Sequence, residues 1–327
     1  MDSKAGILGI GSSLPKKVVT NFDLEKMVDT SDEWIRTRTG IRERRIAEEG
    51  EYLSTFMTEA ARKALLRAEL EPKDIDIIIC ATVTPDHPLP ATACFVQANL
   101  GAKKAAAFDI SAACSGFIYG LSIGEKFIHS GEAERVLVIG GEVLSRVIDW
   151  TDRSTCVIFA DGAGAAVLGR VPEPRGILAT KLRSDGEFAD FLLIPAGGTK
   201  MPASHETIEK RLHFVKMRGN ELFKVAVRAM ADIALEVLEE AGVKKEEVSV
   251  LIPHQANQRI TDAVASRLKI PREKVYSNIA WTGNTSSGSI PIALNELIEQ
   301  GRLKEGDLVL LTAFGGGVTW AASLIRW

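Results

Sequence analysis

Cys114 stands in the segment AAAFDISAACSGFIYG (105–120), which reads as an apolar strand, a turn of small residues, and a helix opening at the cysteine. A thiol at that point feels the free N–H groups and positive end of the helix dipole, which favour thiolate, the nucleophilic form. Ser111, Ala112, Ala113, Ser115 and Gly116 leave room for a substrate and supply helix-start chemistry. A buried structural cysteine is the competing reading. What else converges on the thiol decides between them.

Two other segments offer polar partners. His254 follows the strand VSVLI and a proline and precedes a helix beginning near Gln258. Ligand sites in open α/β sheets collect at such C-terminal strand ends, and no HxxxH or HxxE spacing points to metal. The other histidines read as structural or exposed: His87 in a turn, His129 before a Ser-Gly stop, His205 and His213 in a polar stretch. Asn284 lies in SNIAWTGNTSSGSIP (277–291), ahead of the helix IPIALNELIEQ, where a simple helix cap is the alternative. AFGGGVTW (313–320) ends an apolar strand in glycines whose N–H groups would approach a ligand as an oxyanion hole requires, or which make a tight bend.

The elements that must bring these segments together repeat. Residues 61–83 and 234–255 each read as helix, polar turn and strand, and an offset of 172 places Pro72 on Lys244 and Thr82 on His254. The same offset places Ser115-Gly116 on Ser287-Gly288, and each half then continues with a helix, a Gly and another apolar strand. Strands near 75–81, 136–140, 248–252 and 307–312 are continuous apolar runs, as when helices cover both faces of a sheet. Two packed α/β halves follow, divided near 172–180 around VPEPRG: 1–175 with the cysteine, 176–327 with the histidine and asparagine. Residues 195–218 break this rhythm with Gly, Pro and charge and read as an insertion or flap, or as plain surface loop.

A 327-residue chain with 46% hydrophobic and 25% charged residues is that of a soluble globular protein. A formal charge of −3 argues against general nucleic-acid binding. Cys80, Cys94, Cys114 and Cys156 have no CxxC or regular spacing, so neither a disulfide framework nor zinc is expected. The first residues, MDSKAGILGIGSSLP, resemble a strand, not a signal peptide, and no stretch is long enough to cross a bilayer. A cytoplasmic protein is the expectation.

DISAACSGF, PHQANQRI, GNTSSGSIP and AFGGGVTW together resemble the signature segments of β-ketoacyl-acyl carrier protein synthase III, the initiating condensing enzyme of bacterial fatty-acid synthesis. TSDEWIRTRTGIRERR (30–45) and DGAGAAVLG (161–169) resemble the same family, in the family's order and over nearly the whole chain. The resemblance implies the thiolase-type fold, two duplicated α/β halves packed as αβαβα layers, and a homodimer. It also implies a mechanism. Cys114 takes the acyl group from a short acyl-CoA, acetyl-CoA first among them, as a thioester. The N–H groups of Cys114 and Gly316 hold the oxyanion, each such donor worth about 2.7–4 kcal/mol of barrier. Malonyl-acyl carrier protein then loses CO2, and His254 and Asn284 donate to the thioester oxygen that gains charge. The carbanion equivalent attacks the Cys114 thioester, giving 3-oxoacyl-acyl carrier protein. Elongating relatives of this fold use Cys with two His, so Asn284 points to the CoA-primed class. The resemblance implies no metal or resident cofactor, CoA being a substrate.

Further contacts come by the same resemblance. Trp34 and Arg153 would sandwich adenine, with Thr30 and Arg38 nearby, as suits a flat heterocycle beside phosphate. A solvated basic loop beside a half-buried Trp is the alternative for the run Arg36, Arg38, Arg42, Arg44, Arg45. Asn220, Phe223, Ala256 and Asn257 match positions lining the pantetheine channel. Lys224 and Arg228, spaced i, i+4, with Arg259 and Arg267, eight apart on another helix, would dock the acidic carrier protein, or are scattered surface charge. Leu89 matches a pocket residue borrowed from the partner subunit. One departure is Ala280-Trp281-Thr282, where family members often carry a polar or acidic residue, which leaves the surroundings of Asn284 open. Two other functions stay in view: a related CoA-primed synthase of secondary metabolism or an acyltransferase, and a non-catalytic CoA-binding protein. The DGAGA segment lacks the Lys-Ser/Thr of a phosphate loop, which weighs against the last.

Overall fold

A computed structural model describes residues 3–327. Five strands form one sheet in the spatial order Ser3–Ser13, Asp161–Pro172, Val136–Val143, Ile77–Ala81, Ala106–Ile110. Four form a second, in the order Gly176–Ser184, Thr319–Arg326, Leu308–Gly315, Val250–Pro253. The two orders correspond strand for strand. Ile78 pairs in parallel with Leu137, and Val250 pairs in parallel with Val309, at the offset of 172. A single parallel bridge, Leu251 to Val275, stands where the first half has its fifth strand.

The runs IIICA, VLVIGGEV and LVLLTAFG are buried throughout because helices cover both sheet faces. The helices Gly116–Ser130 and Ser289–Glu299 lie between the sheets, where Phe117, Leu121, Ile290 and Leu294 share one core with Val138 and Val309. Outside the first sheet, Met57 and Ala64 of Leu53–Arg67 pack with Ile78 and Leu137. Outside the second, Met230 of Gly219–Glu240 and Val264 of Gln258–Leu268 pack with Leu251 and Leu310. The layers are αβαβα.

The repeat needs one correction. The turns that open the two inner helices match at an offset of 173, not 172: Ala113 (φ 47°) and Ser286 (φ 51°) are the left-handed residues, and the helices begin at Gly116 and Ser289. Cys114 therefore corresponds to Ser287. The extra residue lies between His254 and this turn, where the second half replaces a strand by one bridge.

The 195–218 stretch holds a short helix, His205–Glu209, and a two-residue strand, Lys216–Met217, paired with Leu192–Leu193. Arg211 ties it down, its Nε donating to Asp149 Oδ2 at 2.6 Å. Met217 of this stretch and Leu192, on the strand paired with it, line the cavity described below, so the end of the stretch borders the site. Among the described residues no helix is long and apolar enough to cross a membrane, and no cluster of His, Cys, Asp and Glu has metal-binding geometry. All four cysteines are free.

The two halves meet tightly where Gly140 faces the Ser287 turn: a Cβ at Gly140 would clash with the Ser287 carbonyl oxygen. Both partners are backbone, so neither can yield without moving an element. Gly140→Ala should cost about 1–3 kcal/mol, read as a lower urea midpoint at unchanged slope; an unchanged midpoint would show that the seam is not this tight.

Candidate active site

A cavity of about 680 Å³ opens between the second half and the 30–40 segment, a size suited to a small-molecule substrate. Its floor brings together Cys114, His254, Asn284, Phe314 and Gly315, and its rim carries Trp34, Arg38, Arg153, Lys224 and Arg259. The three chemical side chains predicted from sequence are almost dry, exposing 8%, 1% and 4% of their surfaces.

Cys114 is placed by the strand Ala106–Ile110 and the left-handed Ala113. The α-helix does not open at the cysteine as expected: Cys114 sits in the 3-10 turn Ala113–Ser115, and the α-helix begins at Gly116. Gly315 closes against it, since a Cβ there would come within 2.5 Å of the Cys114 nitrogen. Gly316, the expected oxyanion donor, is the next residue and is backed by the Leu192 carbonyl oxygen, 3.2 Å from where its Cβ would stand.

The thiol differs from expectation. Burial pushes it up to about 12, against the Ser286 hydroxyl and its own N–H, and the nearby Glu142 carboxylate adds to the rise. A helix terminus contributes at most about 2 kcal/mol, roughly one and a half pH units. Burial therefore wins, and the resting group is a thiol whose proton needs an acceptor.

Burial lowers His254 to about 3, so the ring is neutral. Its Nδ1 is 2.7 Å from Ser289 Oγ, and the Gln255 N–H donates to the same oxygen at 3.4 Å. Assigning the Ser289 proton to Nδ1 places the ring proton on Nε2, facing away from Ser289. Asn284 is oriented in the same sense. Its Oδ1 accepts from the Ser286 N–H at 2.8 Å, which leaves Nδ2 as the donor. The helix cap is not its role, because the Ser289–Glu299 helix has Gly288 at its N-cap.

The backbone of Asn284 is fixed from the first half: Asn284 N donates to Ile158 O at 3.1 Å and Ala160 N to Asn284 O at 2.9 Å. This resolves the Ala280-Trp281-Thr282 departure. Trp281 is 42% exposed and its Nε1 donates to Glu296 of the inner helix at 3.2 Å, while Asn284 takes its support from 158–160.

Most of the residues expected at CoA line the same cavity: Trp34, Arg38, Arg153, Asn220, Phe223, Ala256 and Asn257. Thr30 does not line it, although its hydroxyl is buried without a hydrogen-bond partner. The Arg153 guanidinium lies directly on Trp34, 4.8 Å from the ring centre, and donates to the Asp29 carbonyl at 2.6 Å. A heterocycle between the two requires Arg153 to swing out. Arg38 approaches the same ring at 5.5 Å. Arg44 is wholly buried, donating to Asn21 and to the Val157 carbonyl, and Arg36 pairs with Asp32, so neither belongs to a free basic loop. Asn257 caps the Gln258–Leu268 helix and donates to Arg38 O at 3.0 Å.

Lys224 and Arg259 stand at the rim, with Arg259 over Phe223. Arg228 and Arg267 both pair with Asp232, which puts these cations on one face of two adjoining helices. Leu89 is 86% exposed and does not line the cavity of its own chain. Sequence reasoning missed Ser286, Ser289 and Glu142. The lone carboxylate in the apolar run VLVIGGEV was the available signal for the last.

Two family models match the chain: 3-oxoacyl-[acyl-carrier-protein] synthase III over residues 108–186 and its C-terminal part over 238–327. A β-ketoacyl-[acyl-carrier-protein] synthase III of Caldanaerobacter subterraneus subsp. tengcongensis is 58% identical over 99% of this chain and 98% of its own length. The crystal structure of 3-oxoacyl-[acyl-carrier-protein] synthase III from Aquifex aeolicus superposes with a TM-score of 0.91 at 55% identity, covering both chains fully. The priming β-ketosynthase from the R1128 polyketide pathway superposes at 0.92 with 36% identity, covering 98% of this chain and 96% of its own.

Neutral His254 also sets a pH dependence of stability. Below about pH 6.5 the imidazole of the unfolded chain takes up a proton, whereas the folded one stays neutral down to about 3. The unfolded state then binds the extra proton, so stability is full above that range and falls as pH drops through it. Urea midpoints should therefore fall more from neutral to mildly acid pH in the wild type than in His254→Asn. Equal losses would rule out a buried neutral ring.

Proposed function

The chain belongs to the 3-oxoacyl-[acyl-carrier-protein] synthase III family, and from that premise we propose how its residues carry out the initiating decarboxylative condensation. The substrates are a short acyl-CoA and malonyl-acyl carrier protein; the products are 3-oxoacyl-acyl carrier protein, CoA and CO2. The observation that carries the assignment of roles is the convergence of Cys114, His254 and Asn284 on the floor of a single cavity.

Cys114 attacks the acyl-CoA carbonyl, and CoA leaves as the acyl group passes to sulfur. The N–H groups of Cys114 and Gly316 receive the oxyanion. When the malonyl thioester loses CO2, charge develops on its carbonyl oxygen, and His254 Nε2–H and Asn284 Nδ2–H stabilise it. A neutral imidazole suits this step because it donates a proton bond without giving the proton away. The electrons released form the new carbon–carbon bond to the acyl carbon and expel the Cys114 thiolate. Fixed donors in a site this dry act with little reorganisation.

Trp34, Arg38, Arg153 and Thr30 are proposed to hold the nucleotide end of CoA, and Asn220, Phe223, Ala256 and Asn257 its pantetheine arm. The cationic face of Lys224, Arg228, Arg259 and Arg267 is proposed for the acidic carrier. The exposure of Leu89 supports its lying against a partner subunit, in a homodimer. CoA and carrier-protein substrates support a cytoplasmic location. A priming synthase of secondary metabolism is the second reading; 36% identity to one of that kind, against 58% to a fatty-acid relative, favours the first.

Intact-protein mass spectrometry with acetyl-CoA, followed by malonyl-acyl carrier protein and product analysis, tests the scheme. The wild type should gain an acetyl adduct, then release CO2 and form acetoacetyl-carrier; Cys114→Ala should gain none. His254→Ala and Asn284→Ala should each slow condensation by about 10²–10³-fold while still taking the acetyl group. An adduct on Cys114→Ala would refute the nucleophile. Condensation at the wild-type rate in His254→Ala or Asn284→Ala would refute the donor roles.

A further inference from the structure

Arg44 is a charged side chain with no part in the reaction as derived above, and it is wholly buried. It projects from the short strand Glu43–Arg45, which pairs with Val18–Thr20. A guanidinium is tolerated away from water only where its N–H groups find acceptors. Here Nη1 donates to Val19 O at 3.1 Å and Asn21 Oδ1 at 2.9 Å, and Nη2 to Asn21 Oδ1 at 2.9 Å and Val157 O at 3.0 Å. All four bonds go to neutral oxygens, so no ion pair accounts for the residue. Burial lowers Arg44 to about 10, which leaves it charged near neutral pH.

Its contacts lead to the turn that carries Asn284. Val157 is the C-cap residue of the helix Arg153–Cys156, so its carbonyl has no partner within that helix, and Arg44 supplies one. The residues that follow hold Asn284: its N–H donates to Ile158 O at 3.1 Å, and its carbonyl accepts from Ala160 N–H at 2.9 Å. Residues 157–160 thus run from the guanidinium to both backbone groups of Asn284. The stem of Arg44 also meets the turn directly. A Cβ at Gly283 (φ 66°) would stand 3.0 Å from Arg44 Cβ and 2.8 Å from Ala160 Cβ. The strand adds a third link, Arg42 N donating to Ala280 O at 2.9 Å. On the other side, Asn21 Nδ2 donates to Ile41 O at 2.8 Å and Asp32 Oδ1 at 2.9 Å, so Asn21 is itself fixed and presents its oxygen to Arg44.

Resting on the donor role of Asn284 proposed above, we propose that Arg44 is a positioning residue for the condensation step. It locks residues 157–160 against the Asn21 segment, and through them it sets where the Asn284 amide stands. Arg44 touches no reacting atom. The other two groups take their places from elsewhere: Cys114 from the strand Ala106–Ile110 and from Gly315, His254 from Ser289 and from the Thr312 carbonyl, which accepts its N–H at 2.8 Å. The rim helix Asp32–Thr39 keeps its own bond to Asn21 whether or not Arg44 is present. Loss of Arg44 therefore loosens one donor and spares the nucleophile.

The test separates the half-reactions in single turnovers: acetylation of the enzyme by acetyl-CoA, then consumption of the isolated acetyl-enzyme by malonyl-acyl carrier protein, both followed by intact-protein mass. Arg44→Met fills the space but bridges nothing. Arg44→Lys keeps the charge but lacks the planar fork that spans Asn21 and Val157. Both should acetylate close to the wild-type rate and condense more slowly by roughly 10- to 100-fold. On an Asn284→Ala background the same changes should add little further loss, because their effect passes through Asn284. Full condensation in Arg44→Lys would show that charge alone matters, which overturns the proposal. Equal losses in both half-reactions, or a loss that multiplies with that of Asn284→Ala, is the mark of a merely structural role and also overturns it. Should Arg44→Met fail to fold, Arg44→Lys decides alone; if neither folds, Arg44 serves the fold and not this step, and the proposal fails. Condensation at the wild-type rate in Asn284→Ala would remove the donor role itself, whereas a normal dependence on Asn284 with unimpaired Arg44 variants refutes Arg44 alone.

Discussion

The contact of Gly140 with the Ser287 carbonyl is the constraint from which the site's geometry follows. It presses the turn carrying Asn284, Ser286 and Ser287 onto a central strand of the other half. The segment 158–160 bonds that turn from the side, and Glu142 reaches it from the same strand as Gly140. Ser289, just beyond the turn, orients His254. His254 and Asn284, encoded in the second half, are thereby held in register with Cys114, encoded in the first, and neither half holds all three.

That seam is also dry, and dryness fixes protonation. Without water to solvate charge, the cysteine rests as a thiol and the histidine as a neutral ring. A neutral histidine is the useful form for stabilising developing negative charge, whereas a neutral thiol is a poor nucleophile. One environment favours one step and hinders the other, because burial outweighs the helix dipole at the thiol.

The rim has opposite character. Arg38, Arg153, Lys224 and Arg259 stay in contact with solvent, where charge costs little and is screened. They can attract anionic substrates without lowering the stability of the core. The 195–218 stretch, held by Arg211 on Asp149, ends in Met217, which lines the cavity beside its strand partner Leu192.

Much of this was legible in the chain. The apolar strands, the repeated helix–turn–strand pattern and the Cys114, His254 and Asn284 segments follow from local rules of burial, turn chemistry and period, which sequence carries directly. So does the layered α/β architecture, since runs such as VLVIGGEV are stable only between covering layers. The remainder depends on separations across the fold. The one-residue shift of the second turn, the stacking of Arg153 on Trp34, the commitment of Arg44 to Val157 and the saturation of Glu142 by Thr82, Val83 and Thr84 join residues far apart in the chain. Sequence determined which side chains could react. Only the tertiary structure decided their protonation and direction, because burial and hydrogen-bond partners are properties of the packed halves and not of any one segment.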